Sequence, residues 1–208
     1  MIPCPSTQKN RLSPHRQPVQ WRAGANPLIS EVQQRWLARA GALTEGLRAL
    51  GRLELEVLRE TVTLASPDEC WAMNLPTSQR LHIREVCMHV NQTPCVVARS
   101  LLTHQGYSGA WQTVRRLGKR PLADLLYRDR SVTRSHFETA RVDRFHPLGT
   151  VAARALNTTT PDITPSWQPP AWARRSVFWR KSEPLLVSEC FLPAFWVLTD
   201  KNLKHASC

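Results

Sequence analysis

The sequence predicts an α+β domain, a single antiparallel β-sheet with helices packed on one side. Three observations predict it. The apolar period is helical near the N-terminus, drops to two after Gly51, returns to helical and ends at two, so helices and strands come in blocks and do not alternate. Two pairs of apolar runs are joined by short polar connections, residues 91–94 and 181–183, which suit antiparallel hairpins. A chain of 208 residues, 42% hydrophobic, can bury one ordinary core and is too short for two comfortable domains.

Residues 1–26 are rich in Pro, Gln, Ser and Arg and poor in aliphatics, too little apolar surface to offset ordering entropy. They are expected to form a disordered basic leader, followed by a folded domain over 27–198 and a tail over 199–208. From Leu28, the positions Val32, Trp36, Ala40, Leu43, Leu47 and Leu50 recur at three and four, a helical stripe that Gly41 divides. Leu53, Leu55 and Val57 then alternate with Arg52, Glu54 and Glu56, and Thr61-Val62-Thr63 extends the strand. A loop around 74–78 leads to strands over 81–90 and 95–102. Residues 109–128 predict helix, break, helix, with Gly118 ending the first segment and Pro121 opening the second. The stretch 141–170 lacks sustained periodicity and is expected to be an insertion. Strands over 171–180 and 184–196 close the chain.

A formal charge of +12 raises the question of nucleic acid. The cations are scattered in pairs such as Arg115-Arg116 and Arg174-Arg175, apart from a basic leader, and no helix-turn-helix, zinc-finger or RNA-recognition pattern accompanies them. A basic surface that draws in an anionic small molecule is the preferred reading, with no nucleic-acid partner. No apolar run is long enough to span a bilayer and the N-terminus lacks a secretory apolar region, so a cytoplasmic protein is expected. The six cysteines are expected to be reduced thiols, and none forms a CxxC pair or a zinc template. No metal is expected. P-loop, dinucleotide and nucleophile-elbow motifs are absent.

Two positions interrupt apolar strand faces. The odd face of the last strand reads Leu185, Val187, Glu189, Phe191, placing a carboxylate where an apolar side chain belongs. On the second strand Arg84 shares a face with His82, Val86 and Met88, and its guanidinium fork suits a substrate carboxylate. The two strands read as neighbours, and Arg99 is a third basic group in the region. For such residues an Arg84–Glu189 ion pair that holds the sheet together is the commoner outcome.

Leu117-Gly-Lys-Arg-Pro-Leu-Ala-Asp-Leu-Leu-Tyr127 resembles the LGxxPLGxxLF segment of the chorismate lyase family. Ala173-Arg-Arg-Ser176 with Pro184-Leu-Leu-Val-Ser-Glu-Cys-Phe-Leu-Pro-Ala194 resembles that family's RRS and PLLLTELFLPA motifs. The spacing of Ile83-Arg84-Glu85 and Ala98-Arg99 fits its strand pair, and Trp36 to Leu43 its first helical region. The resemblance implies a monomeric, cofactor-free carbon–oxygen lyase that releases pyruvate from chorismate and leaves 4-hydroxybenzoate, the first step of ubiquinone biosynthesis. It implies that Arg84 binds the ring carboxylate with help from the backbone amides of Leu43 and Leu122, and that Glu189 faces the ring hydroxyl; Arg99, as the third basic group of the region, is taken as a further binding residue. Two departures are visible: the family often carries methionine where Leu43 stands, and residues 141–170 are longer than in its shortest members. The alternative function is a non-catalytic module of the same fold that binds aromatic acids or senses a ligand.

Overall fold

Local chemistry sets the first elements. In the computed structural model, which describes residues 19–24, 29–159 and 170–206, helix α1 (Glu31–Leu37) opens with a reciprocal cap. The Ser30 hydroxyl accepts the Gln33 N–H at 3.3 Å, and Gln33 Oε1 accepts the Ser30 N–H at 3.1 Å. Gly41, at φ +75°, turns the chain into α2 (Leu43–Leu50). The division of the helical stripe therefore falls where expected.

Strands β2 (Leu53–Leu64), β3 (Arg80–Val90) and β4 (Thr93–Leu102) form an antiparallel meander. A short helix, α3 (Pro67–Ala72), lies between β2 and β3 and escaped the periodicity reading. Its signature is local: Ser66 and Glu69 cap it reciprocally and Pro67 occupies its first position. The β3–β4 turn has only two residues, Asn91 and Gln92, both left-handed at φ 49° and 65°. Lys181 and Ser182, at 49° and 64°, make the same turn between β7 (Ala171–Arg180) and β8 (Glu183–Phe191). Two consecutive left-handed residues match the twist of a hairpin.

Between β4 and β7 the chain forms α4 (His104–Ser108), a 3-10 turn over Gln112–Arg116, α5 (Ala123–Leu126), β5 (Thr133–Arg134), β6 (Glu138–Val142) and α6 (Pro147–Thr159). The segment expected to be an insertion thus contains a core helix. Its buried stripe is Leu148, Val151, Ala152 and Ala155, at spacings of three and four. Gly149 lets it approach the preceding loop, since a Cβ there would meet the Asp143 carbonyl oxygen at 1.8 Å. Residues 160–169 of the expected insertion lie outside the described residues.

The strand expected over 184–196 is corrected to a strand and a helix, because β8 stops at Phe191 and Pro193 opens α7 (Pro193–Ala206). Proline cannot donate to a ladder and its fixed φ suits a first helical turn. Helix α7 also runs through the expected boundary at residue 198. Among the described residues no helix is long and apolar enough to cross a membrane.

All strand pairings are antiparallel, in the order β1-β6-β7-β8-β4-β3-β2 with β5 beside β7, where β1 is Arg22–Ala23. The single antiparallel sheet stands as predicted, with one difference: helices cover both faces. Helices α3 and α6 pack on the face of Ile83, Cys87, Val97 and Cys190, while α1, α2 and α7 pack on the face of Met88, Val96 and Phe191. The central strands explain this. Runs such as Cys95-Val96-Val97 and Leu185-Leu186-Val187 are apolar on both sides, so each side needs a cover.

Part of the expected leader belongs to the sheet edge. Residues Arg22 and Ala23 pair with β6, Trp21 Nε1 donates to Asp68 at 3.1 Å, and the Trp21 ring lies 4.3 Å from the Arg175 guanidinium. One tryptophan supplies apolar surface that average composition hid. Residues 1–18, 25 and 26 of the leader lie outside the described residues. Burial alone would raise the Asp68 carboxyl, but hydrogen bonds from His146, Ser66 and Trp21 outweigh it and hold that group well below the carboxylate range. A depressed folded pKa stabilises the protein fully above the unfolded value, about 3.9, and progressively less below it. Acid unfolding is therefore expected to set in below about pH 4, and Asp68→Asn should flatten that limb of a Tm-versus-pH curve while lowering Tm at neutral pH.

Candidate active site

On the face covered by α1, α2 and α7, strand register alone assembles a polar hollow. Arg84 on β3 stands opposite Ser100 on β4, Ala98 on β4 stands opposite Glu189 on β8, and Glu189 stands opposite Arg174 on β7. Arg84 and Glu189 are therefore not on neighbouring strands, as the sequence suggested, but flank β4. Residues two strands apart are separated by roughly 9–10 Å. Because the intervening Ala98 and Ser100 are small, the sheet surface dips between the two charges. Leu43 and Thr44 of α2 close one side of the dip, Leu122 and Ala123 another, and Val86, Val187 and Phe178 supply an apolar lining.

Arg84 is buried and partly occupied. Its Nε donates to Glu60 Oε1 at 3.0 Å, and its Nη2 donates to the Gly118 carbonyl. Glu60 is on the rim, 59% exposed. Burial pulls the guanidinium below its ordinary value against the pull of Glu60, yet an arginine remains a cation at neutral pH. Gly118 sits in the left-handed region at φ +54° and belongs to the Leu117–Tyr127 motif that delivers Leu122 to the hollow. One side chain thus joins the sheet floor to the covering segment.

Glu189 pairs with Arg174, not with Arg84. Arg174 Nε lies 2.6 Å from Glu189 Oε2, with 2% of the arginine side chain and 15% of the glutamate side chain exposed. Arg174 Nη1 also donates to the Trp36 carbonyl in the last turn of α1 and to the Arg39 carbonyl just beyond it, at 3.0 and 3.1 Å, placing a cation at the C-terminal end of that helix. Its guanidinium is 4.3 Å from the Phe137 ring. Among the described residues Glu189 Oε1 has no hydrogen-bond partner, so the carboxylate is held at one oxygen and presents the other. Arg174 was missed as a site residue because Arg174-Arg175 looked like surface charge. The signal was strand alternation: adjacent arginines on a central strand must point to opposite faces, and so one had to enter the hollow.

Arg99 is corrected. It lies on the opposite face of the sheet, between Glu69, whose Oε1 is 2.7 Å from its Nε, and Glu85. Glu85 also accepts from Arg154 at 2.9 Å. The physical reason is parity, since Arg99 pairs with Glu85 in register while Arg84 pairs with Ser100, so the two arginines face opposite ways. Arg99→Leu would leave buried Glu69 without its counter-charge and take one of two cations from Glu85, and should cost about 3–5 kcal/mol, read as a lower Tm, while the KM of the folded fraction stays unchanged.

Cys87 offers no alternative nucleophile. Cys70, Cys87, Cys95 and Cys190 are free, and burial pushes the Cys87 thiol up to about 12, so at neutral pH it is not a thiolate. Cys4 and Cys208 lie outside the described residues.

The chorismate lyase family model matches residues 16–201. A Bordetella avium protein named "probable chorismate pyruvate-lyase" is 46% identical over 177 residues, 85% of this chain and 84% of its own length. The protein of the same name from Bordetella pertussis is 45% identical over 179 residues, 86% of this chain and 90% of its own. "Probable chorismate pyruvate-lyase 1" of Pseudomonas fluorescens is 36% identical over 183 residues, 86% of this chain and 92% of its own. Among solved structures, a GntR-family transcriptional regulator from Bacillus cereus overlaps with a TM-score of 0.45 at 9% identity, over 68% of this chain and 92% of that one. That likeness is too remote to inform the chemistry.

Proposed function

The chain belongs to the chorismate lyase family, and on that premise we propose that it removes pyruvate from chorismate, leaving 4-hydroxybenzoate as the first step of ubiquinone biosynthesis in the cytoplasm. The observation that carries this reading is one hollow that sets Arg84 and Glu189 on either side of a small-residue floor.

The substrate is a cyclohexadiene with a ring carboxylate, a ring hydroxyl and an enolpyruvyl ether that carries a second carboxylate. Arg84 takes the ring carboxylate, with the amides of Leu43 and Leu122 assisting. Glu189 meets the hydroxyl end with its unpaired oxygen. The ether C–O bond breaks with its electron pair leaving on enolpyruvate. The proton on the hydroxyl-bearing carbon departs, and the electrons of that C–H bond complete the aromatic ring. Enolpyruvate then gains a proton at its methylene carbon and becomes pyruvate. Electrons balance within the substrate, so a cofactor has nothing to supply. Aromatisation makes the reaction strongly downhill, and the residues' task is to position the ring and receive a proton.

Purified protein mixed with chorismate should yield equal amounts of pyruvate and 4-hydroxybenzoate, followed by lactate dehydrogenase coupling and chromatography. Binding of 4-hydroxybenzoate without pyruvate release would instead select a ligand-sensing module. Arg84→Ala should lower kcat/KM about 100-fold, the worth of one or two hydrogen bonds to a charged group at about 1.5–3 kcal/mol each. Most of that loss should appear in KM.

A further inference from the structure

The first turn of α2 shows a feature that neither the family motifs nor the Arg84–Glu189 pair explains. Thr44 is 5% exposed and lines the hollow, and its Oγ1 is buried with no hydrogen-bond partner among the described residues. Such groups are rare, because buried hydroxyls nearly always find a partner. The helix start is open as well. Its N-cap is Ala42, which has no side-chain acceptor, and among the described residues the Leu43 and Thr44 amides have no partner. Helix α2 therefore offers the hollow two free N–H groups, the positive end of its dipole and an unpaired hydroxyl.

We propose that Thr44 is a substrate-binding residue whose hydroxyl donates to the ring carboxylate held at the start of α2, completing a receptor that Arg84 alone does not provide. This assignment rests on the function proposed above and extends it to a residue that the motifs do not single out. A threonine kept unpaired in a core weakens the empty protein, and the bound carboxylate supplies the missing partner. The hydroxyl is therefore a stability cost that turns into affinity on binding. A hydrogen bond from a neutral hydroxyl to a carboxylate also discriminates against neutral ring ligands, which accept more weakly.

Thr44→Val keeps the shape and removes the hydroxyl, whereas Thr44→Ser keeps the hydroxyl. In the full chain, Thr44→Val should raise the Tm of the empty protein by about 2–4 °C. By calorimetry it should weaken binding of 4-hydroxybenzoate about 10-fold, and benzoate, which lacks the ring hydroxyl, should lose as much. Thr44→Ser should bind both acids within about twofold of the wild type. Unchanged affinity in Thr44→Val, or a loss seen with 4-hydroxybenzoate and absent with benzoate, overturns the assignment. A lower Tm in Thr44→Val also overturns it, because the hydroxyl would then be holding the fold. If the wild type binds the acids with this dependence on Thr44 but releases no pyruvate, the lyase reading falls and the carboxylate receptor stands. Failure of the wild type to bind either acid overturns both.

Discussion

Replacing Glu189 by Gln is expected to lower kcat about 10²–10⁴-fold, the range that a positioned acid or base contributes, with little change in the affinity for 4-hydroxybenzoate. Gln preserves the volume of the side chain, and its amide oxygen can still accept from Arg174 Nε, the contact now made at 2.6 Å. What disappears is the charge and the basicity of the oxygen that Arg174 leaves free. The two proposed duties of Glu189, holding the hydroxyl and receiving a proton, separate under this test. An amide can still hold a hydroxyl but is a far weaker base, so a loss below about 10-fold would assign Glu189 to orientation alone. Single-turnover pyruvate release, measured beside Tm and product affinity, distinguishes lost chemistry from lost folding or lost binding. Glu189→Asp shortens the reach to the ring while keeping the charge, and an intermediate rate would fit proton transfer over a lengthened path.

What the sequence made legible, and what it hid, follows from the range of each signal. Period-two alternation and the polar hairpin connections are local, so β2, β3, β4 and β7 were placed within a few residues of where they lie. Glu189 and Arg84 stood out because each breaks an apolar face, which is also a local observation. Which strand lies between them is set by pairing across the chain, and so β4 and its small residues Ala98 and Ser100 stayed invisible as the floor of the hollow. The same limit misplaced Arg99: its face depends on register with β3, and a count along β4 alone does not reveal it. Helix α6 was missed for a different reason. Its stripe includes two alanines, and the Thr, Pro and Arg around it diluted the apolar signal, although Leu148, Val151, Ala152 and Ala155 carry the helical spacing.

Arg174→Met is expected to cost about 3–5 kcal/mol of stability, or roughly 6–20 °C in Tm for a chain of this size. Three acceptors lose the Arg174 guanidinium at once: Glu189, the Trp36 carbonyl in the last turn of α1 and the Arg39 carbonyl just beyond it. Of these Glu189 weighs most, since a carboxylate left without its counter-charge in a largely buried hollow must either stay solvated at the cost of packing or take up a proton. Activity should fall with stability, because a protonated or displaced Glu189 can no longer receive a proton. Arg174→Lys should rescue little, as one ammonium cannot reproduce a guanidinium fork that reaches a carboxylate and two carbonyls together. The informative variant is the double change Arg174→Met with Glu189→Met. Burying an ion pair gains little over apolar residues of similar volume, so the double variant should regain much of the Tm lost by Arg174→Met while remaining inactive. Recovery of stability without activity would mean that the pair is kept for its chemistry, with Arg174 as the positioning residue of Glu189. If the double variant is as unstable as the single one, the Trp36 and Arg39 carbonyls are what Arg174 chiefly serves, and its link to the reaction is indirect.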